Sequence, residues 1–186
     1  MEFDKVVSER HSVRRFSTKK VDWKDVVEAV DAARLTPLAG NIPTLRFVIV
    51  SDRAKIKEIS EACQESFVSQ AQYIVVVCSV LTQVVRNYDE DGEVYARQQA
   101  GAGIQNFLLK LTELGLGSCW IGDFAEEQVK RISHIPEDVN VEAVIPIGYE
   151  MPPKAKPRKK FDLDRVMFFD MWGERYMKPL KRVEAI

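Results

Sequence analysis

A mixed β-sheet with helices on both faces is the architecture this sequence predicts. Three observations point to it. Residues 45–50 (LRFVIV), 73–80 (YIVVVCSV) and 141–148 (VEAVIPIG) are short runs rich in Val and Ile, each the length of a buried strand. Between them lie stretches whose apolar residues recur at helical spacing. Strands and helices alternate with connections of uneven length and no linker of domain size, which describes one sheet layered between helices.

The elements follow in order. Residues 2–9 are short and amphipathic. Asp22 is placed to cap a helix whose apolar residues are Trp23, Val26, Val27, Val30 and Ala33. Thr36-Pro37 ends it, because the residue before a proline is pushed out of the helical region. Residues 37–44 carry two prolines, a glycine and an asparagine and read as a loop. Asp52 caps a second helix running to about Cys63. Residues 86–92 are polar and read as a mobile loop. Residues 93–114 read as one long helix whose small residues Ala100, Gly101, Ala102 and Gly103 call for close packing to offset lost helix propensity. Gly115 and Gly117 end that helix, and 118–121 form a short strand. Residues 126–133 make another helix, closed by His134-Ile135-Pro136. A basic, proline-rich stretch at 152–160 leads to a short helix at 163–172. The tail from Gly173 has little to build a core of its own. The expected organisation is therefore one domain over 1–172 and a tail over 173–186.

The chain has 186 residues, 46% of them hydrophobic and 30% charged, enough for an ordinary core and a polar surface. Its formal net charge of -1 gives no overall pull toward nucleic acid or anionic membranes. No apolar run approaches the roughly 18 residues of a membrane span, and no basic segment leads into an apolar one at the start. Cys63, Cys78 and Cys119 are widely spaced with no C-x-x-C, so a reducing cytoplasm is the default expectation. Histidine-rich metal motifs, G-x-S-x-G and the P-loop pattern are absent, and Gly115, Gly117 and Gly122 do not fit G-x-G-x-x-G. His134 reads as a helix-end residue.

Three segments carry chemistry. Arg10, Ser12 and Arg14 stand at alternate positions, so an extended backbone would put two guanidinium forks and a hydroxyl on one side, a good phosphate site. The same residues would equally make a solvated basic turn. Lys156 and Arg158 repeat the pattern around Pro157, either as a second phosphate contact or as a surface linker. Residues 115–124 (GLGSCWIGDF) combine glycines with a strand end, which leaves backbone N–H groups able to face a ligand. Trp120 and Phe124 could stack on a substrate or pack in a core, and Cys119 reads as a buried structural thiol.

Together these segments resemble the flavin-dependent nitroreductase family over nearly the whole chain. The residues Arg10, His11, Ser12, Val13, Arg14, Arg15 and Phe16 match its R-[RH]-S-x-[RK]-x-[FY] signature. Residues 37–45 stand where its P-S-x-x-N-x-Q-P-W-type loop lies, 115–124 match its G-L-G-x-x-W-I-G-x-F-like segment, and Lys156 with Arg158 matches its terminal K-x-R. The loop departs from the pattern: Leu38 replaces the usual serine and Pro43-Thr44-Leu45 the usual Q-P-W, while Asn41 remains.

The resemblance implies an α+β fold, a mixed but mostly antiparallel sheet of four or five strands sandwiched by helices in three layers, in an intertwined homodimer. Arg10, Ser12, Arg14, Lys156 and Arg158 would hold the phosphate and ribityl chain of FMN, with His11 beside it. Ile121, Gly122 and Asp123 would pass the flavin's reactive edge, their N–H groups facing N5 and O4. Gln99 would reach the flavin of the other subunit, and Pro37, Leu38, Ala39 and Asn41 would cross the dimer interface. The long helix with Gly101 and Gly103 would pack at the dimer core, and the tail would reach over the partner. The implied activity takes two electrons from NADH or NADPH through flavin N5 to a small electron-poor acceptor of the nitroaromatic or quinone type. Alternatives are a specialised relative (flavin fragmentation, dehalogenation or azoline oxidation) or a non-catalytic flavin- or nucleic-acid-binding protein. The favoured reading expects no nucleic acid or membrane partner.

Overall fold

The computed structural model describes residues 2–153, 162 and 165–175. Its elements in order are α1 (Phe3–Glu9), α2 (Trp23–Ala33), β1 (Leu45–Val50), α3 (Arg53–Ala62), β2 (Tyr73–Val80), α4 (Thr82–Tyr88), α5 (Asp91–Glu113), β3 (Gly117–Ser118), α6 (Glu126–Ser133) and β4 (Val139–Gly148). Single 3₁₀ turns lie at Ala39–Asn41 and Ser66–Gln70.

Local chemistry starts and stops the helices where expected. Asp22 accepts the Lys24 N–H and Asp52 the Lys55 N–H, each at 2.9 Å, so a side chain satisfies one orphan donor at each helix start. α6 ends on His134 in the left-handed conformation (φ 53°), an ordinary helix stop.

The four strands lie in the order β1-β2-β4-β3, and every pair is antiparallel. β2 pairs with β1 on one side (Phe47 opposite Val77) and with β4 on the other (Val76 opposite Val144), so it is buried on both faces. Alternation then sorts its side chains. Ile74 and Val76 face α3 and α6 with Ile56, Ile59 and Val129, whereas Val75 and Val77 face α2 and α5 with Val26, Phe107 and Leu111. This is the expected three-layer α+β arrangement. Fully buried Phe107 and Leu111 each contribute about 1.5–3 kcal/mol.

Three expectations are corrected. Residues 86–92 are not a loop: α4 runs to Tyr88 and α5 begins at Asp91. Burial of Val84 holds α4 in place, and a Cβ on Gly92 would come within 2.6 Å of the Val84 carbonyl oxygen, so the two helices meet through a bare backbone. The strand predicted at 118–121 is only Gly117–Ser118, with Ile121 bridging separately to Val144. The helix predicted at 163–172 falls partly on 163 and 164, outside the described residues; Arg165 lies in a 3₁₀ turn, and 166–172 are irregular, with Asp170 at φ 60°. Within the chain Gly103 packs closely, since a Cβ there would lie 2.5 Å from Leu45 Cδ1, so its small size serves the contact of α5 with β1.

Candidate functional site

Just after α1 the chain runs extended along the β3 edge of the sheet. Ser12 bridges Ser118 in parallel, and the Val13 N–H donates to the Ser118 carbonyl at 2.9 Å. The segment then reaches the end of β4, where Ser17 N–H donates to Tyr149 (2.8 Å) and Met151 N–H to Arg15 (3.0 Å). Val13 and Phe16 anchor it, both 3% exposed. Glycine is required beneath them: a Cβ on Gly117 would lie 2.9 Å from Val13, and one on Gly148 would lie 2.9 Å from Phe16. With Val13 turned inward, Ser12 and Arg14 are left exposed on either side of it.

Charge is focused there. Among the described residues neither Arg10 nor Arg14 has an acidic partner. Both lie close enough to act on the Cys119 thiol. Burial pushes that thiol's pKa up, while Arg14, a hydrogen bond with Ser12 and the charge of Arg10 pull it partly back. His11 has its Nδ1 2.8 Å from the Glu9 carbonyl oxygen and its Nε2 3.1 Å from Glu150 Oε1. Both neighbours are acceptors, so only the protonated ring donates to both. Burial lowers the His11 pKa, but the Glu9 and Glu150 contacts outweigh it and the net shift is upward.

The chain returns to this edge after β3. Ile121 exchanges two hydrogen bonds with Val144, at 3.1 and 3.0 Å, and is buried. Gly122 and Asp123 follow, exposed, and among the described residues their N–H groups meet no acceptor. A Cβ on Gly122 would touch nothing within 4 Å, so open space lies beside it. A cleft of about 360 Å³ adjoins this segment, with Arg14, Trp120, Gly122 and Asp123 among its lining residues. Trp120 is 41% exposed at the cleft, whereas Phe124 packs against the core. The opposite wall, Cys63, Gln64, Glu65 and Phe67, was missed by sequence reasoning. Gln64 turns the chain at φ 52° with no glycine or proline to announce it. Burial, with the Glu65 and Asp123 charges, pushes the Cys63 thiol up to about 12.

The loop residues are elsewhere. Pro37, Leu38, Ala39 and Asn41 lead into β1, at the other edge of the sheet, with the Val80 N–H donating to the Thr44 carbonyl at 2.9 Å. Three inter-strand spacings separate the two edges, ~14 Å. One chain thus brings together Arg10, His11, Ser12 and Arg14 with Ile121, Gly122 and Asp123. It leaves the loop and Gln99 apart from them. Within this chain the Gln99 side chain is 4% exposed, and its amide meets Thr44, Ile42 and Ala39. Lys156 and Arg158 lie outside the described residues.

An antiparallel sheet between helices, carrying an arginine pair and free N–H groups at one edge among the described residues, defines an α+β protein with a basic, donor-rich strand edge. Comparison with known proteins makes this specific. The Nitroreductase family model matches residues 7–79 and 65–149. A protein of Archaeoglobus fulgidus with the provisional name NADH dehydrogenase/NAD(P)H nitroreductase is 30% identical over 87% of this chain and 94% of its own. A solved structure from Bacteroides thetaiotaomicron bearing the same provisional name superposes with a TM-score of 0.79, at 27% identity over 89% of this chain and 96% of that one. An FMN-dependent nitroreductase from Clostridium difficile shares the fold at a TM-score of 0.76, 23% identical over 90% and 98% of the two chains. The chain belongs to the nitroreductase family.

Proposed function

We propose that this protein is an FMN-dependent oxidoreductase that takes two electrons from NADH or NADPH and passes them to a small electron-poor acceptor, a nitroaromatic or a quinone. One observation carries the reading: Val13 and Ser118 bind the Arg10, Ser12 and Arg14 cluster to the segment that ends in Gly122 and Asp123. The donor set fits the cofactor. Two guanidinium groups without acid partners among the described residues, beside an exposed hydroxyl, suit a phosphate. Unpaired N–H groups with open space at Gly122 suit the polar edge of a flavin ring.

FMN, when bound, supplies the two-electron chemistry. The chain's residues bind, orient and neutralise. Arg10 and Arg14 offset the phosphate charge, and Ser12 donates or accepts a hydrogen bond there. His11, held between Glu9 and Glu150, fixes the segment against the end of β4. The Gly122 and Asp123 N–H groups would serve as hydrogen-bond donors toward the polar edge of the ring. Lys156 and Arg158 would add to the phosphate site. No side chain is needed as acid or base in this scheme.

Because the loop at residues 37–44 sits at the far edge of the sheet, we propose that two chains complete one site, the loop edge of one meeting the arginine edge of the other. The tail at 173–186 would reach over the partner. Among the described residues no helix is long and apolar enough to cross a membrane. The three cysteines are free, which fits a cytoplasmic setting.

The test is an anaerobic absorbance spectrum before and after NADH or NADPH. Flavin bands at ~370 and ~450 nm that bleach on addition are expected. A flavin that stays oxidised would remove the nicotinamide step. A colourless protein that takes up no added FMN would overturn the proposal.

A further inference from the structure

We propose that Gln99 is a positioning residue: from beneath residues 39–44 it holds that loop in the single shape with which it meets the electron acceptor. The inference rests on the functional reading above, which puts this loop at the completed site.

Gln99 lies on the buried side of α5, near Ala96, Ala100 and Gly103. An apolar side chain would suit such a face, and a buried amide costs desolvation unless every group is used. The contacts of this one all go to the loop. Its nitrogen donates to Thr44 Oγ1 at 3.1 Å and to the Ile42 carbonyl at 3.2 Å, and its oxygen accepts the Ala39 N–H at 3.2 Å. Asparagine would fall one methylene short, and leucine would leave the Ala39 N–H and the Ile42 carbonyl unpaired.

The loop needs holding. Gly40 and Asn41 both have positive φ, 55° and 57°, a left-handed conformation that glycine adopts freely and asparagine more readily than other side-chain-bearing residues. Tyr88 of α4 closes the loop from the other side: a Cβ on Gly40 would lie 2.6 Å from Tyr88 Oη. Tyr88 in turn stands edge-on to Tyr95 of α5, ring centres 5.2 Å apart. Ile42 is buried with Val84 and Ala96. The loop is thus gripped between α4 and α5, with Gln99 making the polar half of the grip. With both amide donors and one oxygen lone pair engaged by the loop, Gln99 acts on the acceptor through the loop.

The experiment compares full-length, FMN-loaded wild type with Gln99→Leu and Thr44→Val, using menadione as the acceptor. Hydrogen exchange of the peptide spanning residues 39–44 is read beside steady-state kinetics. For Gln99→Leu we expect exchange faster by about tenfold or more and a menadione KM raised about tenfold. FMN absorbance should be retained and kcat should change less than about threefold. Thr44→Val removes one of the three bonds and should move both readings the same way by about threefold; it decides the matter if Gln99→Leu does not fold. Unchanged exchange, or faster exchange with an unchanged KM, overturns the proposal. So does loss of FMN from a folded variant whose loop exchange is unchanged, which would make Gln99 a flavin contact. A wild type that binds no FMN sinks this inference together with the functional reading. A wild type that turns over while Gln99→Leu behaves identically sinks this inference alone.

Discussion

Val13 donates its N–H to the Ser118 carbonyl at 2.9 Å, and that bond joins two segments far apart in sequence into one strand edge. It turns Ser12 and Arg14 outward beside Gly122 and Asp123, the arrangement on which the proposed cofactor site depends.

Arg14→Ala should weaken FMN binding without unfolding the protein. A lost charge-assisted contact of about 1.5–3 kcal/mol corresponds to roughly 10–100-fold in Kd. Fluorescence titration of the apoprotein measures it. Arg34→Ala, which removes an exposed partner of Asp31, is the control and should leave Kd unchanged. Equal affinity in wild type and Arg14→Ala would remove Arg14 from the site.

Gly148→Ala should destabilise the fold, because the new Cβ would sit 2.9 Å from the Phe16 ring. Overpacking of this kind costs about 1–3 kcal/mol. Thermal denaturation should show a lowered Tm, partly restored in the double variant with Phe16→Leu. An unshifted Tm would mean the extended segment does not seat on β4 as described.

His11 should add pH dependence to stability. Its pKa is raised above 6.5 in the folded chain. The stabilisation is therefore fully present below the unfolded value and is lost as pH rises through the folded value. Glu150→Gln removes the carboxylate contact and should bring the His11 titration down, as read by NMR of the ring protons. An identical titration in wild type and Glu150→Gln would separate the two residues functionally.

The native thiols should be inert. Burial pushes Cys63 up to about 12 and Cys78 to about 11, and raises Cys119 as well. At neutral pH almost none of each is thiolate. Alkylation followed by mass spectrometry should find the folded protein unlabelled and all three cysteines modified after denaturation. Rapid labelling of native Cys119 would show that its surroundings are open.

Deleting residues 174–186 should weaken the proposed dimer. The chain leading into this tail exposes Met171 at 66% and Trp172 at 91%, apolar surface that a second subunit would cover. Sedimentation of the truncated protein should show dissociation at higher concentration than wild type. A dimer of unchanged stability would give the tail no part in assembly.

Much of the fold was legible because its signals are local. Asp22 and Asp52 announce helix starts through hydrogen bonds spanning two or three residues. The bounds of α6, Glu126–Ser133, follow from one amphipathic turn pattern and a stop at His134. The strand runs are apolar along their whole length where the sheet is covered on both faces. What failed was short or set by distant contacts. α4 carries too few residues to show a period, and the burial of Val84 against α5 makes it a helix.

For the site, the residue types in the Arg10, Ser12 and Arg14 cluster and at Gly122 were readable from spacing and resemblance. That they belong to one edge was settled by Val13, Ser118 and the glycines beneath Val13 and Phe16. That the 37–44 loop belongs to the opposite edge was settled by the strand order β1-β2-β4-β3. Gln99 shows the limit most clearly. Its identity marks it as polar within a helix, but whether the amide faces a cofactor or its own loop depends on which backbone groups surround it. The sequence by itself determined the elements and the chemistry they carry, since caps, prolines and periodicity act over a few residues. Only the tertiary structure decided which of those residues meet, because pairing across the sheet joins groups that no local pattern connects.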